Sequence, residues 1–425
     1  MVMPTSAQSP VQLLWSKPPS LPEYINSVAV SADGSVVVAG TFCHLYAPIP
    51  DPPPCAENAE FGTYYWDAQG NALWSPDTFD GYQGVYWVAV SRDGSTIASG
   101  GWYSAPEPPK PPKPAKPPLG FVRAYDVASK TRTLMNNTLP GRTNMVALSA
   151  DGVYLVAANE SLYLYTRSGP GWGKPSVLPP PQDNDYYVAA AISADGSWIA
   201  ACTAASVILL IPNNLGVLGT PAALAMPNAT IHNVAIAAGG SAFAAAGTHF
   251  DAQANVKSGY VYLFDTSVSS ASPTLQPLWS SPLPNCANCR AIAIRDDGAF
   301  LSAVGTLTNQ TAQSSGGVSV FKNVGGTGAV MWSALTNRDP NSTSMDALGD
   351  YVTVADGYPD ATPSQPSPGY FYLYGAYDGA PVWSYQTDNM CWPSVISAKG
   401  NALVGGSDNG YVYSFSVNPS ARSGD

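Results

Sequence analysis

Short apolar stretches alternate with turn residues along the whole chain, and one such alternation keeps returning. The segment SVAVSADGSVVVAGT, from Ser27 to Thr41, reads as a strand of small and β-branched residues, a two-residue turn and a second strand. It recurs as WVAVSRDGSTIASGG from Trp87 and MVALSADGVYLVAAN from Met145. Five further copies follow: AAAISADGSWIAACT, NVAIAAGGSAFAAAGT, AIAIRDDGAFLSAVGT, a degraded SMDALGDYVTVADG, and SVISAKGNALVGGSD. Their turn dipeptides are Asp33-Gly34, Asp93-Gly94, Asp151-Gly152, Asp195-Gly196, Gly239-Gly240, Asp297-Gly298, Gly349-Asp350 and Lys399-Gly400, spaced 44 to 60 residues apart. A repeat of this length implies one supersecondary unit per copy, stacked on its neighbours.

A third strand follows most hairpins, often opened by Gly and rich in Tyr: GTYYWD at Gly62, GFVRAYD at Gly120, GYVYLFD at Gly259, GYFYLYG at Gly369 and GYVYSFS at Gly410. A fourth ends in Trp-Ser, at Trp15, Trp74, Trp279, Trp332 and Trp383, each after an apolar residue, as expected of a ring packed between sheets. Four strands per repeat make a propeller blade. The first Trp-Ser precedes the first hairpin, whereas the last repeat stops after its third strand. The expectation is therefore an all-β, eight-bladed β-propeller of four antiparallel strands per blade, over residues 11–418, whose last blade is closed by the N-terminal strand Val11 to Lys17. Residues 1–10 are expected to be a flexible leading segment and 419–425 a tail.

Composition sharpens this picture. Charged residues are 11% of the 425, against roughly 25% in an average soluble domain. With 39 Gly and 40 Pro, helices are disfavoured and strands end cleanly. No run approaches the roughly 18 to 20 apolar residues needed to span a bilayer. A net charge of -11 disfavours nucleic acid as a partner.

With hairpins of the type V-A-V-S-x-D-G, third strands of the type G-Y-V-Y-x-F-D and fourth strands ending in Trp, the chain resembles the eight-bladed quinoprotein-dehydrogenase-like (PQQ-like) propellers and the related WD-repeat-like bacterial propellers. The resemblance runs from Val11 to Asn418 but rests on structural motifs. That superfamily includes dehydrogenases using pyrroloquinoline quinone with Ca²⁺, assembly lipoproteins and binding proteins. For a quinone site the resemblance would call on Arg290, Asp356, Asp408 and Asn409.

The second-to-third connections swell at Cys43–Phe61, Ser104–Leu119, Phe250–Ser258, Thr308–Ser315 and Tyr358–Pro368, while the hairpin turns stay tight. Elaboration falls on one face, and loops on a rigid scaffold carry most binding functions. Between-blade segments on that face offer Tyr24 and Asn26, Tyr82, Tyr86 and Trp87, Asp183 to Tyr187, His232 and Asn233, Arg290, and Cys391 with Trp392; Trp102, Tyr103, His249 and Tyr358 join from the other loop set. Rings that stack and amides that satisfy hydroxyls suit a protein, peptide or glycan partner.

The remaining motifs carry no catalytic constellation: there is no Gly-x-Ser-x-Gly elbow, P-loop or His-Glu-x-x-His. Cys43 and Cys55 flank the first long loop at a separation a disulfide could close. Cys286 and Cys289 lack a second ligand pair for zinc, so an intraloop disulfide and two plain thiols both stay open. Lys110, Lys113 and Lys116 recur at the three-residue period of polyproline II. No signal peptide is visible in MVMPTSAQSP, yet few Lys and sequons at Asn136, Asn159, Asn228, Asn309 and Asn341 lean towards an extracellular or periplasmic protein. The expected function is a non-catalytic binding or scaffold propeller with no cofactor and no metal. A PQQ-dependent dehydrogenase, or a self-associating structural subunit of an extracellular assembly, are the alternatives.

Overall fold

A computed structural model describes residues 9–18, 24–42, 61–75, 77–79, 84–103, 119–251, 256–267, 274–308, 315–358 and 367–418. The strands form eight antiparallel sheets, and the first strands of consecutive sheets pack side by side until the last meets the first. Blade 1 is Tyr24–Val30, Val36–Phe42, Phe61–Asp67 and Asp77–Phe79. Blade 8 is Cys391–Ile396, Ala402–Ser407 and Val412–Val417, completed by Val11–Lys17 from the other end of the chain. The clasp pairs Val11 with Val417 and Lys17 with Val412, closing the ring within one chain. Second strands such as Val36–Phe42 are buried along their whole length, since both faces meet neighbouring blades.

The hairpin turn differs from the two-residue form expected. Strands end at Val30 and resume at Val36; Gly34 N–H donates to Ser31 O, and only Gly34 has positive φ, at 78°. This is a type I turn followed by one left-handed residue, where a two-residue I′ turn would need two. The aspartate serves its side chain instead: Asp33 Oδ1 accepts from Ser31 Oγ and Ser35 N–H, while Ser31 Oγ accepts from Val36 N–H. The left-handed glycines are Gly34, Gly94, Gly152, Gly196, Gly240, Gly298, Gly349 and Gly400, with φ between 66° and 78°. Blade 7 therefore turns at Leu348-Gly349, one residue before the Gly349-Asp350 expected. Backbone bonds link successive turns: Lys399 N–H to Ala32 O, Ala32 N–H to Arg92 O, Asp93 N–H to Ala150 O, Ala150 N–H to Ala194 O, and Ala194 N–H to Ala238 O.

In blade 7 the turn serine is replaced by Asp346, buried, whose Oδ1 accepts from Tyr351 N–H. Burial pushes this carboxyl up to about 6, against 3.8 when unfolded. The folded state then holds the proton more tightly, so stability present below pH ~4 is lost as pH rises through ~6. Asp346→Ser, the residue five other blades use, is expected to stabilise the protein by about 1–3 kcal/mol at pH 7.5 and by nothing at pH 4. Denaturant melts at the two pH values would show it, and an equal effect at both would contradict it.

The residue after the turn's first position is Ala in six blades: Ala32, Ala150, Ala194, Ala238, Ala347 and Ala398. The exceptions are Arg92 in blade 2 and Asp296 in blade 6, diametrically opposite in a ring of eight. Their side chains meet across the axis in a bidentate pair of 2.6 and 2.5 Å. Both are partly solvated, so the coupling should be only about 1 kcal/mol and weaken with salt. A double-mutant cycle with Arg92→Ala and Asp296→Ala at two ionic strengths checks this.

On the outer edge, three of the Trp-Ser indoles tie neighbouring blades. Trp15 Nε1 donates to Ala68 O, Trp279 Nε1 to Asn323 Oδ1, and Trp332 Nε1 to Ala376 O, each in the next blade. Trp74 departs from the pattern: it precedes its blade's short fourth strand and stacks on Tyr65 at 4.3 Å. Cys286 and Cys289 are separate buried thiols, one directed at Gly305 O and the other at Ala291 O, so the plain-thiol alternative holds. Burial pushes the Cys286 thiol up to about 12, which leaves it unreactive. Asn159, in one of the sequons, is fully buried and hydrogen-bonded, so no glycan could reach it. Cys43, Cys55 and the lysine-proline segment lie outside the described residues.

Candidate functional site

The first strand of each blade is an edge strand facing the axis, with N–H groups that need partners. Side chains of the preceding blade supply some: Val88 N–H donates to Ser27 Oγ, Ser394 N–H to Ser342 Oγ. Small residues line the wall, with Ala147, Ala191, Ala235 and Ala293 at one level and Ser344 and Val395 completing it. The axial cavity, open at the mouth, measures about 720 Å³, within the roughly 300–1,000 Å³ of sites that hold a small ligand. The Arg92–Asp296 pair crosses the axis at the hairpin end.

At the opposite end, six first strands carry a bulge near their start. The skipped residues are Asn26, Tyr86, Val188, His232, Asn341 and, with Pro393, Trp392. A bulge re-aims a side chain, and all of these except Val188 line the channel mouth. Asn144 and Arg290 hold the equivalent place in blades 3 and 6. Each of the eight stands eight positions before its blade's left-handed glycine. Asparagines lock the ring: Asn26 Nδ2 donates to Tyr86 O at 2.6 Å, Asn144 Nδ2 to Tyr187 O at 2.8 Å, and Asn341 Nδ2 to Cys391 O at 3.0 Å.

The mouth is cationic. The Arg142 guanidinium lies 4.0 Å from the centroid of the Tyr86 ring and 5.5 Å from that of Trp102, and its Nε donates to Asn144 Oδ1 at 2.7 Å. Arg290 reaches Asn341 Oδ1 at 3.3 Å and the buried Asp339 at 3.5 Å. Lys257 lies on the rim beside His232 and Asn288. His232 is held below its ordinary value, first by burial and then by the charge of Arg290, so it is neutral at pH 7; its Nε2 pairs with Thr248 Oγ1 at 3.1 Å. Among the described residues, no carboxylate lines the cavity or its mouth.

Of the residues singled out in the sequence, Asn26, Tyr86, His232, Asn233, Arg290 and Trp392 converge here. Trp87 lines the wall deeper down and packs on the core, and Trp102 backs Arg142. Tyr187 belongs to the core rather than the face: it is fully buried, its hydroxyl donating to Pro179 O, because the bulge at Val188 turns it inward. His249 packs against Tyr260 at 5.2 Å, away from the cavity lining. Tyr24 and Tyr358 are exposed outside that lining. Tyr82 and the side chain of Tyr103 lie outside the described residues. Sequence reasoning missed Arg142, Asn144, Lys257 and Asn341. The two asparagines could have been found by counting back from the turn glycines.

No protein-family model and no curated protein matches the chain. Among solved structures it is similar to the Dos1 propeller, at 10% identity and TM-score 0.64, covering 96% of this chain and 95% of that one. It is similar to Chaetomium thermophilum Sqt1 bound to the N-terminus of the ribosomal protein L10, at 14% and 0.61, covering 93% and 98%. Kuenenia stuttgartiensis hydrazine synthase matches at 12% and 0.53, covering 97% and 98%. The chain is an eight-bladed β-propeller. Identities this low show the fold alone.

The propeller's residues do not fit the quinone and Ca²⁺ site that the resemblance would call for. Both Asp356 oxygens are taken, by Tyr370 N–H, Arg338 N–H and Tyr372 Oη, and Asn409 Nδ2 donates to Tyr413 Oη. Of the four candidates only Arg290 lines the cavity. Among the described residues, no group of three His, Cys, Asp or Glu could hold a metal, and no helix is long and apolar enough to cross a membrane.

Proposed function

We propose that this propeller is a binding scaffold that receives an extended segment of a partner protein at the channel mouth. One observation carries the reading: at one position in the repeat, side chains that differ from blade to blade, Tyr86, His232, Arg290 and Trp392 among them, are aimed into a single opening by bulges and adjoining loops. A structural role would favour one recurring residue there, as the turn glycines show. Aromatic and arginine groups gathered at the centre of a patch are the usual anchors of protein recognition. The similarity to a propeller whose structure was solved with a protein N-terminus bound supports the same reading.

The test is selection of a displayed dodecapeptide library on the purified protein, followed by titration of the enriched peptides. Trp392→Ala and Tyr86→Ala are each expected to weaken binding at least tenfold, with melting temperatures unchanged, whereas Leu278→Ala on the outer rim changes nothing. Binding indifferent to both mouth substitutions would defeat the proposal.

A further inference from the structure

The charge of the mouth specifies the partner more closely. The protein carries 29 acidic against 18 basic residues, yet the described lining of the cavity and mouth holds Arg142, Lys257 and Arg290 and no carboxylate. Chance placement in so acidic a chain would favour the reverse. Arg142 is held as a receptor would be. Its guanidinium lies over the Tyr86 and Trp102 rings, its Nε donates to Asn144, and its two terminal nitrogens make no hydrogen bond or ion pair among the described residues. A planar fork held in place, with paired donors left over, matches a carboxylate in bidentate geometry. Lys257 likewise forms no ion pair among the described residues, while Arg290 is only partly neutralised by Asp339.

Below this rim the wall is apolar on one side, built from Met145, Ala191, Val234, Ile236 and Ile294, and lined by Ser342, Ser344 and Ser394 on the other. Asn233 sits between the two zones with no side-chain hydrogen bond among the described residues, where it can meet a backbone amide. We infer that the mouth selects an acidic peptide segment, its carboxylate held by Arg142 with Arg290 and Lys257 beside it, and an adjoining apolar residue seated in the channel. Three cations around one opening, rather than a stripe of them, suit a short acidic segment better than a nucleic-acid backbone.

The inference rests on the reading that the mouth takes a partner segment, and the library selection separates the two. Enriched peptides are expected to contain Glu or Asp beside an apolar residue. Their affinity should fall at least tenfold on Arg142→Gln and about threefold to tenfold on Arg290→Gln, and should weaken with salt in the intact protein but much less in Arg142→Gln. Arg142→Lys keeps the charge but loses the fork, and should recover only part of the loss; unchanged melting curves establish that both variants fold. Neutral or basic peptides weakened by Trp392→Ala but not by Arg142→Gln would overturn the acidic partner while leaving mouth binding intact. Equal binding of a single-stranded oligonucleotide, competed by the peptides, would overturn peptide selection. A library that enriches nothing, or only peptides indifferent to all mouth variants, would overturn both readings.

Discussion

A chain lacking residues 1–17 is expected to melt roughly 10 °C below the full protein, or to fail to fold. The clasp strand contributes two buried apolar anchors, Val11 and Trp15, and a full ladder against Val412–Val417. Burying the anchors and pairing the ladder are together worth on the order of 10 kcal/mol, which for a domain of this size corresponds to a shift of about 10 °C. Trp15→Ala isolates the anchor and should cost about 3–5 kcal/mol, since the ring also donates to Ala68 O and packs 5.7 Å from Trp66, holding blade 8 to blade 1. Thermal melts with and without an added peptide spanning residues 9–18 would decide it. Rescue by the peptide is the expected outcome, and a truncated chain that melts like the intact one would contradict the closure.

The second large effect is expected at Gly305, near the end of blade 6's second strand. A Cβ there would lie 1.9 Å from the carbonyl oxygen of Asn288, a backbone atom held in the between-blade segment that leads to the mouth. No rotamer relieves that contact, so Gly305→Ala should destabilise by at least ~3 kcal/mol through forced backbone movement. Gly239→Ala is the control. Nothing lies within 4 Å of a Cβ at Gly239 and its φ is not positive, so the same change should be neutral or stabilise by roughly 0.4–1 kcal/mol. Chemical denaturation of the two variants measures the contrast, and similar losses at both would show that glycine is not required by the approach of Asn288.

Much of the fold was legible because its determinants are local. The V-A-V-S-x-D-G motif and the strand that follows it contain in about fifteen residues both strands' burial pattern, the turn glycine and the serine-aspartate pair that satisfies the turn, so each copy announces itself. Two details escaped because they depend on backbone conformation rather than residue type. The turn uses one left-handed residue instead of two, and blade 7 turns one residue earlier than its Gly349-Asp350 suggested. Aromatic residues on the elaborated face were harder to sort. Tyr86 and Tyr187 both sit near the start of a first strand, yet one lies on a bulge and faces the mouth while the other lies before the bulge and is buried. Composition cannot distinguish them; position relative to the turn glycine can.

By itself, then, the sequence determined the number of blades, their strand order and the closure by Val11–Lys17. All of these follow from patterns shorter than one repeat, where hydrophobic period and turn chemistry act within the chain. Only the tertiary structure decided which chemistry meets which. Arg92 and Asp296 are 204 residues apart and pair because eight equal blades put the second opposite the sixth. Arg142, at the entrance to blade 3, becomes an oriented cation because ring closure lays it on Tyr86 and Trp102 of blade 2. Ring geometry brings distant positions together without any local signature, and a site at the axis of a repeat protein is made of such positions.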